Sequence, residues 1–264
     1  MVIELAHDRG GPAGHGVPVV LLHAFPLERS MWTPVADRLA AAGVATVRPD
    51  LPGLGDSPLP DAGPPDLAVG ADAVIALLDR LGVARAVVAG VSMGGYVALA
   101  LARRHPERLA GIALIDTKAE ADAEPARADR ERVAVAVTGP EGTAVLAPML
   151  DVQLGATSRS GRPELVARVA ADLAAARPPG VAWSQRAMAA RPDATAELPA
   201  IAVPAAVVVG EEDGLTPPTG ARTLAAALPD AVLTVVPRSG HLSPLEAPDA
   251  VAAALLALLL RTRP

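Results

Sequence analysis

Cysteine is absent from the 264 residues, which excludes disulfides and thiolate metal sites. Aromatic side chains make up 2% of the chain, namely Phe25, Trp32, Tyr96 and Trp183, so the core must be built from Val, Leu, Ile and Ala. A basic excess is also missing. The net charge of −6 argues against nucleic acid and anionic membrane surfaces as partners. The longest apolar run, Val251 to Leu260, is too short to span a bilayer and reads as a C-terminal helix packed on a sheet. Met1 to Gly10 carries no apolar stretch behind a basic start, so no signal peptide is expected and a cytoplasmic protein is. Neither G-x-G-x-x-G nor a P-loop occurs, and no His/Asp/Glu cluster has ligand spacing. No cofactor and no metal are therefore expected. What the chain has in abundance is apolar residues, 51% of the total. Its length suits one large α/β domain or two small ones.

Short apolar runs alternate with helical patterns. Val17–His23, Val44–Arg48, Arg85–Gly90, Leu109–Asp116, Val203–Gly210 and Ala231–Pro237 read as strands, with Val2–Ala6 as a further edge strand. Several are continuously apolar, the signature of strands buried on both faces of a parallel sheet. Met31–Ala42, Leu67–Leu81, Gly95–Arg104, Pro218–Leu228 and Ala247–Leu260 read as helices between them. This alternation predicts an α/β fold with a doubly wound, mostly parallel sheet. From Thr117 to Leu198 no strand is evident, and helical segments at Arg127–Val137, Pro163–Ala176 and Val181–Ala190 are separated by Gly and Pro. The expected organisation is a core from 1–116 and 199–264 with a helical cap or lid at 117–198.

Gly90-Val91-Ser92-Met93-Gly94 is a G-x-S-x-G pattern between a strand and a helix, the setting of a nucleophile elbow. A free serine hydroxyl is a poor nucleophile. On a sharp turn, beside a base and hydrogen-bond donors, it becomes a useful one. Five histidines could supply the base: His7, His15, His23, His105 and His241. His241 follows the last strand, where open α/β sheets gather functional groups, and is the expected base. Asp213, in the acidic turn Gly210-Glu211-Glu212-Asp213, is the expected orienting carboxylate, with Glu211, Glu212 and Asp116 as rivals. An oxyanion would be held by the backbone N–H groups of Met93 and of Phe25, the latter in the loop after an early strand. His23 is expected to brace that loop. Trp32, Trp183, Met149, Leu150 and Leu154 are candidates to bind substrate, beside the alternative of plain core packing.

Five segments carry a family resemblance. His23-Ala24-Phe25-Pro26 resembles an HG-x-P oxyanion loop with Ala24 in place of glycine, and Asp50-Leu51-Pro52-Gly53-Leu54-Gly55-Asp56-Ser57 resembles a D-x-x-G-x-G-x-S loop. Gly90 to Gly95 matches the elbow, Gly210 to Asp213 with Thr216-Pro217 looks like an acid turn, and Gly240-His241 with Glu246 and Pro248 is similar to a G-H-x-x-x-x-E-x-P ending. In this order they resemble the α/β-hydrolase superfamily, most nearly small lid-bearing carboxylesterases and enol-lactone hydrolases. The resemblance implies a serine hydrolase that cleaves small carboxylic esters or lactones through an acyl-enzyme, with Ser92, His241 and Asp213 as the triad. C–C bond hydrolysis or perhydrolysis on the same triad, and a non-catalytic small-molecule receptor, are the alternatives. A small acyl substrate is the expected partner, and the protein is expected as a monomer or homodimer.

Overall fold

The computed structural model describes residues 3–12, 16–61 and 63–262. His15 and Val2 lie outside them. Seven strands form one sheet: β1 (His7–Gly10), β2 (Val19–Leu22), β3 (Thr46–Pro49), β4 (Ala86–Val91), β5 (Leu109–Ile115), β6 (Ala205–Gly210) and β7 (Ala231–Val236), in the spatial order β1-β3-β2-β4-β5-β6-β7. β1 runs antiparallel to β3, and every other pairing is parallel. The edge strand is thus His7–Gly10, and Ile3–Ala6 precedes it outside the ladder, with Ala6 meeting Asp50 through an Asp50 N–H to Ala6 carbonyl bond.

β2, β4, β5 and β6 are buried at every position, which explains their unbroken apolar sequences. A strand covered on both faces has no polar side to alternate with. β7, at the sheet edge, is only partly buried. Around the sheet lie α1 (Thr33–Ala41), α2 (Leu67–Arg80) and α3 (Met93–Arg104), with α4 (Glu124–Val137), α5 (Met149–Gln153), α6 (Ala156–Gly161), α7 (Pro163–Ala175) and α8 (Pro178–Ala190) all between β5 and β6. α9 (Pro218–Ala227), α10 (Ser243–Glu246) and α11 (Pro248–Arg261) complete the chain. α1 packs against α11, and α2 against α3. No helix among the described residues is long and apolar enough to cross a membrane.

The strand order reverses at β2, which sits between β3 and β4. The loops leaving β2 and β4 therefore diverge and leave a crevice at the carboxyl ends of the strands, the place where open α/β sheets bind ligands.

Candidate active site

Ser92 lies in that crevice. Its backbone takes φ +52°, ψ −115°, a region L-residues occupy only when the surroundings impose it. Here they do. The Ser92 N–H donates to the Ile115 carbonyl at 2.9 Å, and the Ser92 carbonyl accepts from Gly95 N–H at 2.9 Å and from the Thr117 hydroxyl at 2.8 Å. The two flanking glycines permit the turn for steric reasons. A Cβ at Gly94 would overlap the Leu22 carbonyl oxygen, and one at Gly90 the Gly94 carbonyl oxygen.

The Ser92 hydroxyl is 2.8 Å from His241 Nε2, and His241 Nδ1 is 2.8 Å from Asp213 Oδ2. His241 and Asp213 are both buried. Asp213 also accepts from Leu215 N–H at 2.8 Å, Thr216 N–H at 2.9 Å and the Thr216 hydroxyl at 2.6 Å. Burial by itself would raise the Asp213 pKa, but the His241 contact and the Thr216 donors outweigh it and hold the carboxyl below its ordinary value. Burial would likewise lower His241. The bond to Asp213 and its charge prevail and hold the imidazole above its ordinary 6.5. The arrangement fixes Nδ1–H on Asp213 and leaves Nε2 to accept from Ser92.

The rival carboxylates face elsewhere. Glu211 accepts from Arg238 N–H at 3.2 Å, and Glu212 from Thr157 N–H and hydroxyl at 2.8 and 2.5 Å. Asp116 is fully buried and accepts from Gly210 N–H at 2.9 Å, Ser243 N–H at 3.1 Å and the Ser243 hydroxyl at 2.6 Å. It ties together the loops that carry Asp213 and His241. Burial and the nearby Asp213 charge push it up to about 8.

The loop after β2 is fixed from two directions. His23 is fully buried; its Nε2 accepts the Leu51 N–H at 2.8 Å, so its Nδ1 carries the proton and donates to the Ala24 carbonyl at 3.0 Å. Burial lowers its pKa and keeps the ring neutral. From the other side the Gln153 side-chain amide donates to the Phe25 carbonyl at 2.9 Å. The Phe25 and Met93 N–H groups have no protein acceptor among the described residues, as expected for a free loop amide and for the first turn of α3. Glu246 holds the histidine loop, accepting from Gly240 N–H at 2.9 Å and, on its other oxygen, from Gly155 N–H at 2.9 Å.

Ser92 and His241 open onto a cavity of about 360 Å³. Phe25, Leu215 and Thr216 line it on the sheet side, and residues of α4, α5 and α8 line it opposite. Of the five side chains expected to bind substrate, Met149 lies on this wall and the other four do not. Trp32 is fully buried in the turn that packs on β2 and β3. Trp183 borders a small separate void behind the elbow, together with the Met93 side chain. Leu150 and Leu154 are misplaced by helical geometry. In α5, positions 149, 152 and 153 share the cavity face, which turns 150 and 154 toward the core. Gln153 and Val152 were not anticipated, since a five-residue helix is too short to display a readable period. Tyr96, Lys118, Arg130, Gln185 and Met188 also line the cavity, without any local sequence signal for it.

A hydroxyl, an imidazole and a carboxylate in hydrogen-bond contact at the carboxyl ends of this sheet's strands match a class of hydrolytic enzyme. The family described as alpha/beta hydrolase fold matches residues 17–248, and the chain belongs to that family. It is 31% identical over 252 residues to a pimeloyl-acyl-carrier-protein methyl ester esterase of Neisseria meningitidis, covering 89% of this chain and 90% of the relative. A thermophilic esterase from Thermogutta terrifontis, solved with malate bound, superposes with a TM-score of 0.94 at 36% identity, over 99% of this chain and 95% of its own. The enol-lactonase from Burkholderia xenovorans gives 0.89 at 30% identity, over 98% and 97%.

Proposed function

We propose that this hydrolase cleaves small carboxylic esters or lactones through an acyl-enzyme, with Ser92 as nucleophile, His241 as general base and acid, and Asp213 as the carboxylate that orients it. Ser92 attacks the carbonyl as His241 Nε2 takes its proton. The Asp213 charge steadies the imidazolium, and the same proton then goes to the leaving alcohol. Water, deprotonated by His241, attacks the acyl-enzyme in turn. The Phe25 and Met93 N–H groups hold the tetrahedral oxyanion, each contributing about 3 kcal/mol to the transition state. Residues 117–198 act as the cap that covers the crevice.

The strongest support is the pair of 2.8 Å contacts from Ser92 through His241 to Asp213, opening on a cavity of about 360 Å³. The methyl ester esterase and the enol-lactonase to which the chain is similar favour esters and lactones among the substrates such a relay can serve. A panel of methyl and p-nitrophenyl esters and lactones, run against wild type and Ser92→Ala, tests this. Turnover is expected with wild type alone. Full activity in Ser92→Ala, or no acyl turnover by wild type, would overturn it.

A further inference from the structure

The cavity onto which Ser92 opens carries cations in its lining, Lys118 and Arg130. Asp122, whose side chain is 2% exposed, is approached by three cations. Arg130 Nε bonds its Oδ2, Arg191 reaches both oxygens at 2.8 and 2.9 Å, and Lys118 Nζ stands 3.3 Å from Oδ1. Arginine stays protonated in any protein setting. The cluster thus carries three positive charges and one negative, a net charge of +2 against the cavity.

Neighbouring carboxylates do not cancel it. Asp129, on the same wall, is paired with Arg132 at 2.6 and 3.0 Å. Asp193 faces Arg191 from the exposed side and accepts the Ala121 and Thr195 N–H groups at 3.1 and 2.9 Å. Arg191 is held away from the cavity, its guanidinium 4.0 Å over the Tyr96 ring. Two cations remain that line the cavity itself, Lys118 and Arg130. Arg130 bonds Asp122 through Nε and Gln185 Oε1 through Nη1 at 3.0 Å. Its Nη2 has no acceptor among the described residues, and Lys118 has only the one ion pair. A cleft whose surroundings carry an excess of one sign of charge concentrates that field.

We propose that Lys118 and Arg130 form an anion subsite, and that the preferred substrate is an ester or lactone bearing a carboxylate remote from its reacting carbonyl. The assignment takes the cavity as the substrate site, as proposed above. The remote carboxylate accepts from Arg130 Nη2 and Lys118 Nζ, while the chain between the two ends lies along Val133, Met149 and Met188. The donors are fixed by Asp122 and Gln185 before any substrate arrives, which limits the ordering cost of binding. Lys118 is the one lysine in the sequence, so it can be observed individually.

Monomethyl succinate, glutarate and adipate, compared with methyl butyrate, pentanoate and hexanoate, test the subsite. The ratio of kcat/KM for anionic over neutral esters is expected to be tenfold or more at one chain length, and to fall about 10- to 100-fold in Arg130→Gln and in Lys118→Met. It should also shrink as salt rises. Should Arg130→Gln fold poorly, Lys118→Met and a binding measurement carry the test. In Ser92→Ala with Lys118 reductively methylated with 13C, the dimethyl-lysine resonance is expected to shift on addition of the monomethyl ester and not of its neutral counterpart. A ratio near one in wild type, or a preference that survives both substitutions, overturns the subsite while leaving ester hydrolysis standing. Absence of any ester turnover would instead strike at the hydrolytic reading, and the resonance shift would still report on the subsite.

Discussion

Gln153 bonds Phe25 across the mouth of the cavity, its side-chain amide donating to the Phe25 carbonyl at 2.9 Å. The same residue accepts the His241 N–H on its backbone carbonyl at 3.0 Å. One residue from the helical region thus touches both the loop proposed to hold the oxyanion and the loop that carries the imidazole. Gln153→Ala should lower kcat by about tenfold with a smaller change in KM. It should also lower stability by about 1–3 kcal/mol, because the buried Phe25 carbonyl loses its donor. Steady-state kinetics and urea unfolding read the two effects. An unchanged kcat would remove Gln153 from any positioning role.

The pH profile follows from His241. Only the neutral ring accepts the Ser92 proton, and its pKa is held above 6.5 by Asp213. kcat/KM should therefore rise with pH along a limb centred above 6.5. Asp213→Asn removes the charge that raises the ring, so the limb should move down in pH as kcat falls about 10⁴-fold. A limb at or below 6.5 in wild type would contradict the ion pair.

Strain at the turn that carries Ser92 can be measured with two variants of that position. Ser92 holds φ +52°, which glycine adopts readily and alanine does not. Both Ser92→Gly and Ser92→Ala lack the hydroxyl, so their difference isolates the backbone. Ser92→Gly is expected to unfold at higher urea, by about 1 kcal/mol. Equal midpoints would mean that the turn stores no such strain.

The crowding at Gly94 predicts a cost of about 3 kcal/mol or more for Gly94→Ala, since the added Cβ meets backbone that cannot move aside. Thermal and urea unfolding against wild type would show it, and a native-like midpoint would refute the steric account.

Asp116 predicts a pH dependence of stability. In the fold its carboxyl keeps a proton up to about pH 8, whereas its ordinary pKa is 3.8. Between those values the unfolded chain has released a proton that the folded one retains, so this group's contribution declines as pH rises. His241 has the same sign, but only above its ordinary 6.5. Asp116→Ala should therefore flatten the fall of stability between about pH 4 and 6.5. It should also destabilise the fold overall, because three donors lose their acceptor. Urea midpoints at several pH values test both.

Much of this was legible in the chain. The apolar runs within Arg85–Gly90 and Leu109–Asp116 announce strands buried on both faces, and the structure puts them at the middle of the sheet. Ser92, Asp213 and His241 could be proposed because each follows a strand, and strand ends are readable from local pattern. The residues of the cavity wall were harder. Lys118 and Arg130 look, in sequence, like charges on solvated surfaces. Trp32 looks available to a ligand until the turn around it is seen to pack inward.

By itself, the sequence determined the fold class and the positions of the elbow, the acid turn and the histidine loop, because hydrophobic periodicity and glycine placement are local and survive without coordinates. Tertiary structure alone decided where the rivals of Asp213 turn instead, Glu211 to Arg238, Glu212 to Thr157 and Asp116 to Gly210 and Ser243. It alone decided which helical side chains turn to the cavity, and that three cations share one buried Asp122. Those outcomes depend on how loops and helices distant in sequence converge, and no residue pattern along the chain records the angle at which they do so.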